Sequence, residues 1–124
     1  ASIMGVSGGM LLVSDDLTKL ELERLTLLKK TFQLNSDCEG HTPIPLGIFE
    51  EDFPQGMFNP AGYVGIWNVK DVPSKISIQL PKPIRSKGPF MDYWTGTMID
   101  CELSQKKDHI SLELPAFGSV VFSV

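Results

Sequence analysis

The sequence predicts a mainly β protein in which an antiparallel Greek-key β-sandwich follows one strand and one amphipathic helix. Short runs with a period of two recur after residue 60, and Ile76–Leu80 and Ile110–Leu114 alternate apolar with polar side chains. Turn residues separate these runs, as in Lys70–Pro73. Between Leu17 and Phe32 the apolar residues instead follow a helical period. These patterns indicate one helix and then consecutive antiparallel strands.

Length and composition favour one globular domain and exclude several kinds of partner. The chain has 124 residues, 42% of them hydrophobic and 21% charged, which is ordinary for a folded protein. Its formal charge is −4 and its basic residues are scattered, which argues against a nucleic-acid partner. No apolar run approaches the roughly 20 residues of a membrane helix, so we expect no membrane partner.

The N-terminal third is expected to hold a strand followed by a helix. Residues 3–13 are apolar with interrupting glycines, a pattern that indicates a strand end and a close-packed loop. Asp15, Asp16 or Thr18 can cap the helix that follows, and Thr18 with Glu21 has the capping-box spacing. We expect the helix to span residues 17–32, with Lys29 and Lys30 near its C-terminus. Its predicted apolar side comprises Leu17, Leu20, Leu25, Leu27, Leu28 and Phe32.

The prolines and glycines of residues 35–60 indicate a connecting region with one short strand near Leu46–Phe49. We therefore expect a strand–helix unit over 1–34 that belongs to an upstream domain, a linker over 35–60, and an antiparallel module over 61–124. The strands predicted for the module are Tyr63–Val69, Lys75–Leu80, Pro89–Trp94, Met98–Leu103, His109–Leu114 and Ser119–Val124.

Several segments, in this order, resemble the C-terminal end of an α-galactosidase (melibiase)-like glycoside hydrolase. Ser7–Leu17 is similar to the last strand and loop of the (β/α)8 barrel in that family, and the Leu-rich helix follows it. Gly65–Asn68 is similar to the first strand of the family's C-terminal antiparallel domain. Asp92–Gly96 and Leu114–Ser119 are similar to its central and closing strands.

The resemblance implies that the strand and helix are left over from a barrel and that the antiparallel domain supports it. Glycosidases need two carboxylates beside the glycosidic bond. In this family they stand on earlier barrel strands, which would precede Ala1. The resemblance therefore assigns this chain no catalytic, cofactor-binding or metal-ligating residue, and no cofactor. The partner it implies is the upstream catalytic barrel of the same polypeptide, and carbohydrate is contacted only through that parent enzyme.

Two functions from other classes stay open: a carbohydrate-binding module and a stand-alone structural β-domain. Without a barrel, the apolar side of the helix and residues 3–13 would be exposed, and large apolar patches tend to be covered by partners. We therefore also expect self-association, as a symmetric homodimer.

Most polar residues that could carry chemistry have a structural interpretation. We expect Asp15 and Asp16 to cap the helix rather than contact a sugar. The consecutive acids Glu50, Glu51 and Asp52 are expected to form a solvated turn, because adjacent side chains point in different directions. His41 and His109 lack partners for a metal site or a catalytic triad. The two cysteines, Cys38 and Cys101, lack zinc-site spacing and are expected to be reduced and buried.

Aromatic residues cluster between residues 49 and 67. Exposed, they would form a platform for stacking sugars, whereas buried they would fill a sandwich core. We expect packing in the core or between domains, and we expect Trp94 to be a core residue as well. The cluster comprises Phe49, Phe53, Phe58, Tyr63 and Trp67.

Overall fold

The computed structural model describes residues 1–14, 16–47, 52–85 and 88–124 and is mainly β, with antiparallel sheets and one main helix. A single 3-10 turn, Leu17–Lys19, precedes the main helix. The helices are α1 Ser2–Ser7 and α2 Leu22–Cys38; the strands are β1 Ile44–Leu46, β2 Gly56–Asn59, β3 Tyr63–Trp67, β4 Ser74–Gln79, β5 Cys101–Leu103, β6 His109–Leu114 and β7 Ser119–Ser123.

The strands form two antiparallel sheets. The first has the order β1-β2-β3-β7 and the second the order β4-β6-β5. In the first sheet Val64 lies opposite Phe122, and in the second Ile78 lies opposite Ile110. The chain passes from the first sheet to the second after β3 and returns after β6, so the pairs β3–β7 and β4–β6 are neighbours in their sheets.

The main core lies between these sheets, in a sandwich-like arrangement. The period-two prediction is confirmed in β4 and β6: Ile76 and Ile78 are each 1% exposed, whereas Ser77 and Gln79 face solvent. Because each strand alternates its side chains, the inward half can be apolar while the outward half stays polar. The buried core comprises Leu46, Phe58, Val64, Ile66, Ile76, Ile78, Leu80, Ile84, Phe90, Ile110, Leu112, Leu114 and Phe122.

The helices cover the opposite face of the first sheet. A separate buried cluster joins Val6 of α1 and Leu34 and Cys38 of α2 to Val121 of β7. Gly65 of β3 allows this close approach, since a Cβ there would meet Val6 Cγ2 at 3.2 Å. The first sheet is therefore covered on both faces.

The strand expected within residues 3–13 is not found: α1 occupies Ser2–Ser7, and residues 8–14 have no regular structure. The buried residues of α1 are Ser2, Gly5 and Val6, a helical spacing. A Cβ on Gly5 would meet Leu34 Cδ2 at 2.6 Å, so this glycine lets α1 pack closely on α2. Tertiary packing decides the conformation of so short a segment.

The main helix differs from its prediction in range and in orientation. It begins at Leu22 and continues to Cys38, so Lys29 and Lys30 lie in its middle rather than at its C-terminus. Its buried residues are Thr31, Leu34 and Cys38, whereas Leu27 is 45% and Phe32 41% exposed. The predicted apolar side is therefore not the side that packs on the sheet.

Asp16 is a cap, but of the 3-10 turn rather than of α2. Asp16 Oδ1 accepts hydrogen bonds from Thr18 N at 3.1 Å and Thr18 Oγ1 at 2.6 Å, which caps the 3-10 turn. Glu21 is the N-cap residue of α2 but its side chain makes no cap hydrogen bond, so the predicted capping box does not form. Asp15 lies outside the described residues.

Two further element predictions need correction. The segment 35–60 holds β1 and β2, which pair with each other and join β3, instead of a single short strand. Pro45 is compatible with β1 because β1 is an edge strand. Residues 89–94 form no strand; only an isolated bridge joins Met91 to Met98. Where a domain boundary lies stays a prediction.

We predict that Ile78→Ala lowers the free energy of unfolding by about 2–5 kcal/mol, because it leaves a cavity between the two sheets. Gln79→Ala on the same strand removes an exposed side chain and should change it by less than about 0.5 kcal/mol. Urea denaturation followed by circular dichroism measures both. Equal losses for the two variants would show that the core does not lie between the sheets.

Candidate functional site

A turn over residues 92–97 is held by one buried carboxylate. Asp92 is 7% exposed. Its Oδ1 accepts a hydrogen bond from Val121 N at 3.2 Å, and its Oδ2 accepts from Thr95 N at 3.3 Å and Thr95 Oγ1 at 2.9 Å. Gly96 N donates to Asp92 O at 2.8 Å, with Gly96 at φ 70, a conformation that glycine adopts readily. The carboxylate thus fixes the turn against β7.

The side chains that follow Asp92 reach both helices. Tyr93 OH donates to Lys30 O at 3.0 Å, and Lys30 Nζ donates in return to Trp94 O at 2.8 Å. Trp94 Nε1 donates to Ser2 Oγ at 2.9 Å, and Ser2 Oγ lies 2.8 Å from Ser119 Oγ. One turn therefore connects α1, α2 and β7, and we call residues 92–94 the junction turn.

A second polar contact ties the helix ends to the hairpin between β2 and β3. Asn59 is fully buried, and its Nδ2 donates to Val6 O at 2.8 Å while its Oδ1 accepts from Ala61 N at 2.9 Å. Tyr63 OH donates to Asp37 Oδ2 at 3.1 Å. The α2 C-terminus is thereby fixed to the first sheet independently of the junction turn.

Burial around this contact keeps two weakly acidic groups protonated. Desolvation raises the pKa of Tyr63 to about 12, with the hydrogen bond to Asp37 adding to the shift. Desolvation, with a contribution from the Asp37 charge, raises the pKa of the Cys38 thiol to about 11. A thiol with a raised pKa is a poor nucleophile, so Cys38 serves packing in the helix cluster, while Tyr63 donates its hydrogen bond to Asp37.

The opposite side of the helices is apolar and exposed. A groove of about 450 Å³ lies between α1, residues 11–14 and α2. Its lining includes Met4, Leu12, Val13, Leu27 and Leu28, and we call these residues the apolar face. Leu12 is 81% exposed and Leu27 45% exposed.

Other large apolar side chains are exposed in the same N-terminal segment. These side chains are Ile3, Met4, Met10, Leu12, Val13, Leu17, Leu22, Leu27 and Phe32.

Those acidic and histidine candidates that the structure describes are not brought together. Asp52 is exposed, and Glu50 and Glu51 lie outside the described residues. His41 is exposed near the C-terminus of α2, whereas His109 lies on β6. No group of three His, Cys, Asp or Glu residues suited to a metal ion occurs in the described parts of the chain.

His109 Nε2 hydrogen-bonds to Ser77 Oγ, which lies 2.9 Å from Ser111 Oγ. An activated serine also needs a group that orients the histidine and donors for an oxyanion. Among the hydrogen bonds of the described residues, none joins His109 Nδ1 to a carboxylate. The side chains of Ser77, His109 and Ser111 lie together on the outer face of the second sheet.

The aromatic cluster is divided between core and surface. Phe58 is 4% and Trp67 6% exposed, as predicted, but Phe53 is 51% exposed, and Phe49 lies outside the described residues. Trp94 is half-buried at the junction turn rather than in the core between the sheets. Both cysteines are free; Cys38 is buried as expected and Cys101 is half-buried.

Comparison with protein-family models gives no match, and comparisons with curated proteins and with solved structures give none either. None of the helices in the described ranges is long and apolar enough to cross a bilayer.

We predict that Asp92→Asn lowers the free energy of unfolding by about 1–3 kcal/mol. The amide nitrogen would replace a carboxylate oxygen that accepts a hydrogen bond from a backbone N–H, so two donors would face each other. Asp100→Asn, at an exposed position, is the matched control and should have an effect below about 0.5 kcal/mol. Urea denaturation measures both variants. If they behave alike, the Asp92 carboxylate does not hold the turn.

We also predict that the protein loses stability under alkaline conditions. Ordinary thiol and phenol pKa values are 9.0 and 10.0, and burial raises them to about 11 for Cys38 and about 12 for Tyr63. The unfolded chain therefore releases these protons first, so their stabilising effect is complete below about pH 9 and is lost as the pH rises through the native values. Tyr63→Phe should flatten the decline in unfolding free energy measured from pH 8 to 11.5. An unchanged slope would contradict a buried, protonated Tyr63.

Proposed function

We propose that the chain is the non-catalytic C-terminal region of a glycoside hydrolase that acts on α-linked sugars and resembles the α-galactosidase group. In this proposal residues 1–34 complete an upstream (β/α)8 barrel, and the antiparallel module supports that barrel. We include Greek-key connectivity in the proposal because the chain crosses between the two sheets after β3 and again after β6. The sequence resemblance supplies the enzyme class.

The observation that carries the proposal is the apolar face of the helices. One side of α1 and α2 is fixed to the first sheet by the junction turn. On the other side Leu27 of α2 is exposed, and so are Leu12 and Val13 in the segment between the helices. Exposed apolar side chains that lie together on a protein surface usually mark a site that a partner covers. An upstream barrel of the same polypeptide would cover them permanently.

The unpaired segment 8–14 supports the same partner. It runs Gly-Gly-Met-Leu-Leu-Val-Ser, contains the exposed Met10 and Leu12, and has no regular structure. A short apolar run between turn-forming residues, here Gly8 and Gly9 before it and Ser14 after it, is consistent with a strand buried in a parallel sheet. We infer that it becomes a strand when neighbouring strands of the barrel are present.

A sugar-binding platform receives less support from the structure. Stacking on sugars requires exposed ring faces, whereas Phe58 and Trp67 are buried, and Trp67 Nε1 donates to Pro54 O at 2.7 Å. Tyr63 and Tyr93 pack edge to face at 6.3 Å between ring centroids. These rings serve packing.

The decisive test of the proposal is the coding sequence upstream of the Ala1 codon. We expect a continuous reading frame with several hundred residues in βα repeats and acidic residues at strand ends. In that full-length protein, Leu12→Ser with Leu27→Ser should lower the melting temperature by several degrees, because each removes apolar contact with the barrel. Val72→Ser, at a position 53% exposed in the antiparallel module, is the control and should have no such effect.

Two results would overturn the proposal. The first is a reading frame that starts at this chain, together with sedimentation of the protein as a dimer. In that case a second copy of the chain, rather than a barrel, would cover the apolar face. The other is a full-length protein in which the Leu12 and Leu27 changes are as harmless as Val72→Ser.

A further inference from the structure

A second concave surface lies in the antiparallel module, away from the helices. It has a volume of about 380 Å³, within the range of small-ligand sites. Phe58, Pro60, Pro83 and Ile84 contribute its apolar part, and Lys82 and Arg85 are its charged residues. Gly62 and Val124 complete the lining.

Both cations are carried by a stiff and anchored segment. Pro81 and Pro83 flank Lys82, and each proline ring fixes its own φ. Ile84 is 6% exposed and its N–H donates to Lys107 O at 2.7 Å, which fixes the backbone between Lys82 and Arg85. The two charged side chains therefore start from backbone positions that need little ordering when a ligand binds.

The cavity residues Phe58, Gly62 and Val124 are held in place as well. Lys82 Nζ lies 5.4 Å from the centroid of the Phe58 ring, a cation–π distance, and Phe58 itself is buried in the core. Val124 N donates to Gly62 O at 2.9 Å, which holds β7 against the turn that follows β2. The cavity is part of the folded module rather than a gap between loose loops.

The charge of the cavity contrasts with the charge of the whole chain. The chain carries a formal charge of −4, yet among the residues that the structure describes no acidic side chain lines the cavity. The ion pairs found among the described residues are Lys19 with Asp16 and Lys75 with Glu102, so neither Lys82 nor Arg85 has a carboxylate partner there. Two cations beside an apolar floor match a ligand with one anionic and one apolar end.

We propose that this cavity binds a small organic anion, with its carboxylate or phosphate group between Lys82 and Arg85 and its apolar part against the exposed rings of Pro60 and Pro83. This inference does not depend on the proposed function, since none of the residues that carry it belongs to α1, α2 or the apolar face. Arg85 supplies a planar donor pair for the oxygens of the anion, and Lys82 supplies a point charge.

Titration of the 124-residue protein with benzoate, phenyl phosphate and benzyl alcohol, followed by amide NMR shifts, tests the proposal. These probes share a ring and differ in the charged group. We expect the two anions to shift the amides of Gly62, Ile84 and Arg85 saturably, with dissociation constants on the order of millimolar. Benzyl alcohol should not saturate. The tighter of the two anions identifies carboxylate or phosphate as the preferred group.

Lys82→Gln with Arg85→Gln should weaken binding of the anion by about tenfold or more, because it removes both charge-assisted contacts while keeping most of the side-chain bulk. Lys70→Gln is the matched control, since it removes one exposed charge at the far end of β3 and should leave binding unchanged. An unshifted amide spectrum outside the cavity shows that each variant is folded. The proposal is overturned if neither anion saturates, if benzyl alcohol binds equally well, or if the control weakens binding as much as the double variant.

Discussion

The requirement that both faces of the first sheet be covered determines most of this architecture. β3 and β7 place Val64 and Phe122 toward the second sheet and Val121 toward the helices, so neither face can be left in water. A sheet that is apolar on both sides is stable only between two layers. The second sheet covers one face, and the short α1 and the C-terminal half of α2 cover the other.

Small side chains and buried polar groups make the helix layer possible. Gly5 and Gly65 let α1 approach α2 and β3, and Asn59 donates to the carbonyl at the end of α1. Because buried polar atoms are costly unless they are hydrogen-bonded, such contacts are specific as well as stabilising. The helix pair is consequently held in one position relative to the sheet, and its remaining apolar side is presented outward in that position.

Local sequence patterns predicted the parts of the fold whose determinants are local. The strand His109–Leu114 has the predicted bounds, because alternation and flanking turn residues both lie within a few positions of it. The helix α1 was missed, since six residues carry little periodic signal and the decisive contacts of Gly5 are with Leu34. The buried side of α2 is not predicted for a related reason. Thr31, Leu34 and Cys38 are buried because the distant first sheet packs against them, whereas the stronger leucine pattern includes Leu27, which is exposed.

The junction turn shows most clearly what sequence reasoning cannot reach. Trp94 and Ser2 are 92 positions apart, and Tyr93 and Lys30 are 63 apart, so no window of sequence contains either pair. In the sequence, Asp92–Gly96 is distinguished only by its resemblance to a strand of α-galactosidase-like enzymes, whereas in the structure these residues form a turn that joins α1, α2 and β7. Since the contacts of the turn run to the helices rather than to solvent, substitutions there should act on the position of the apolar face.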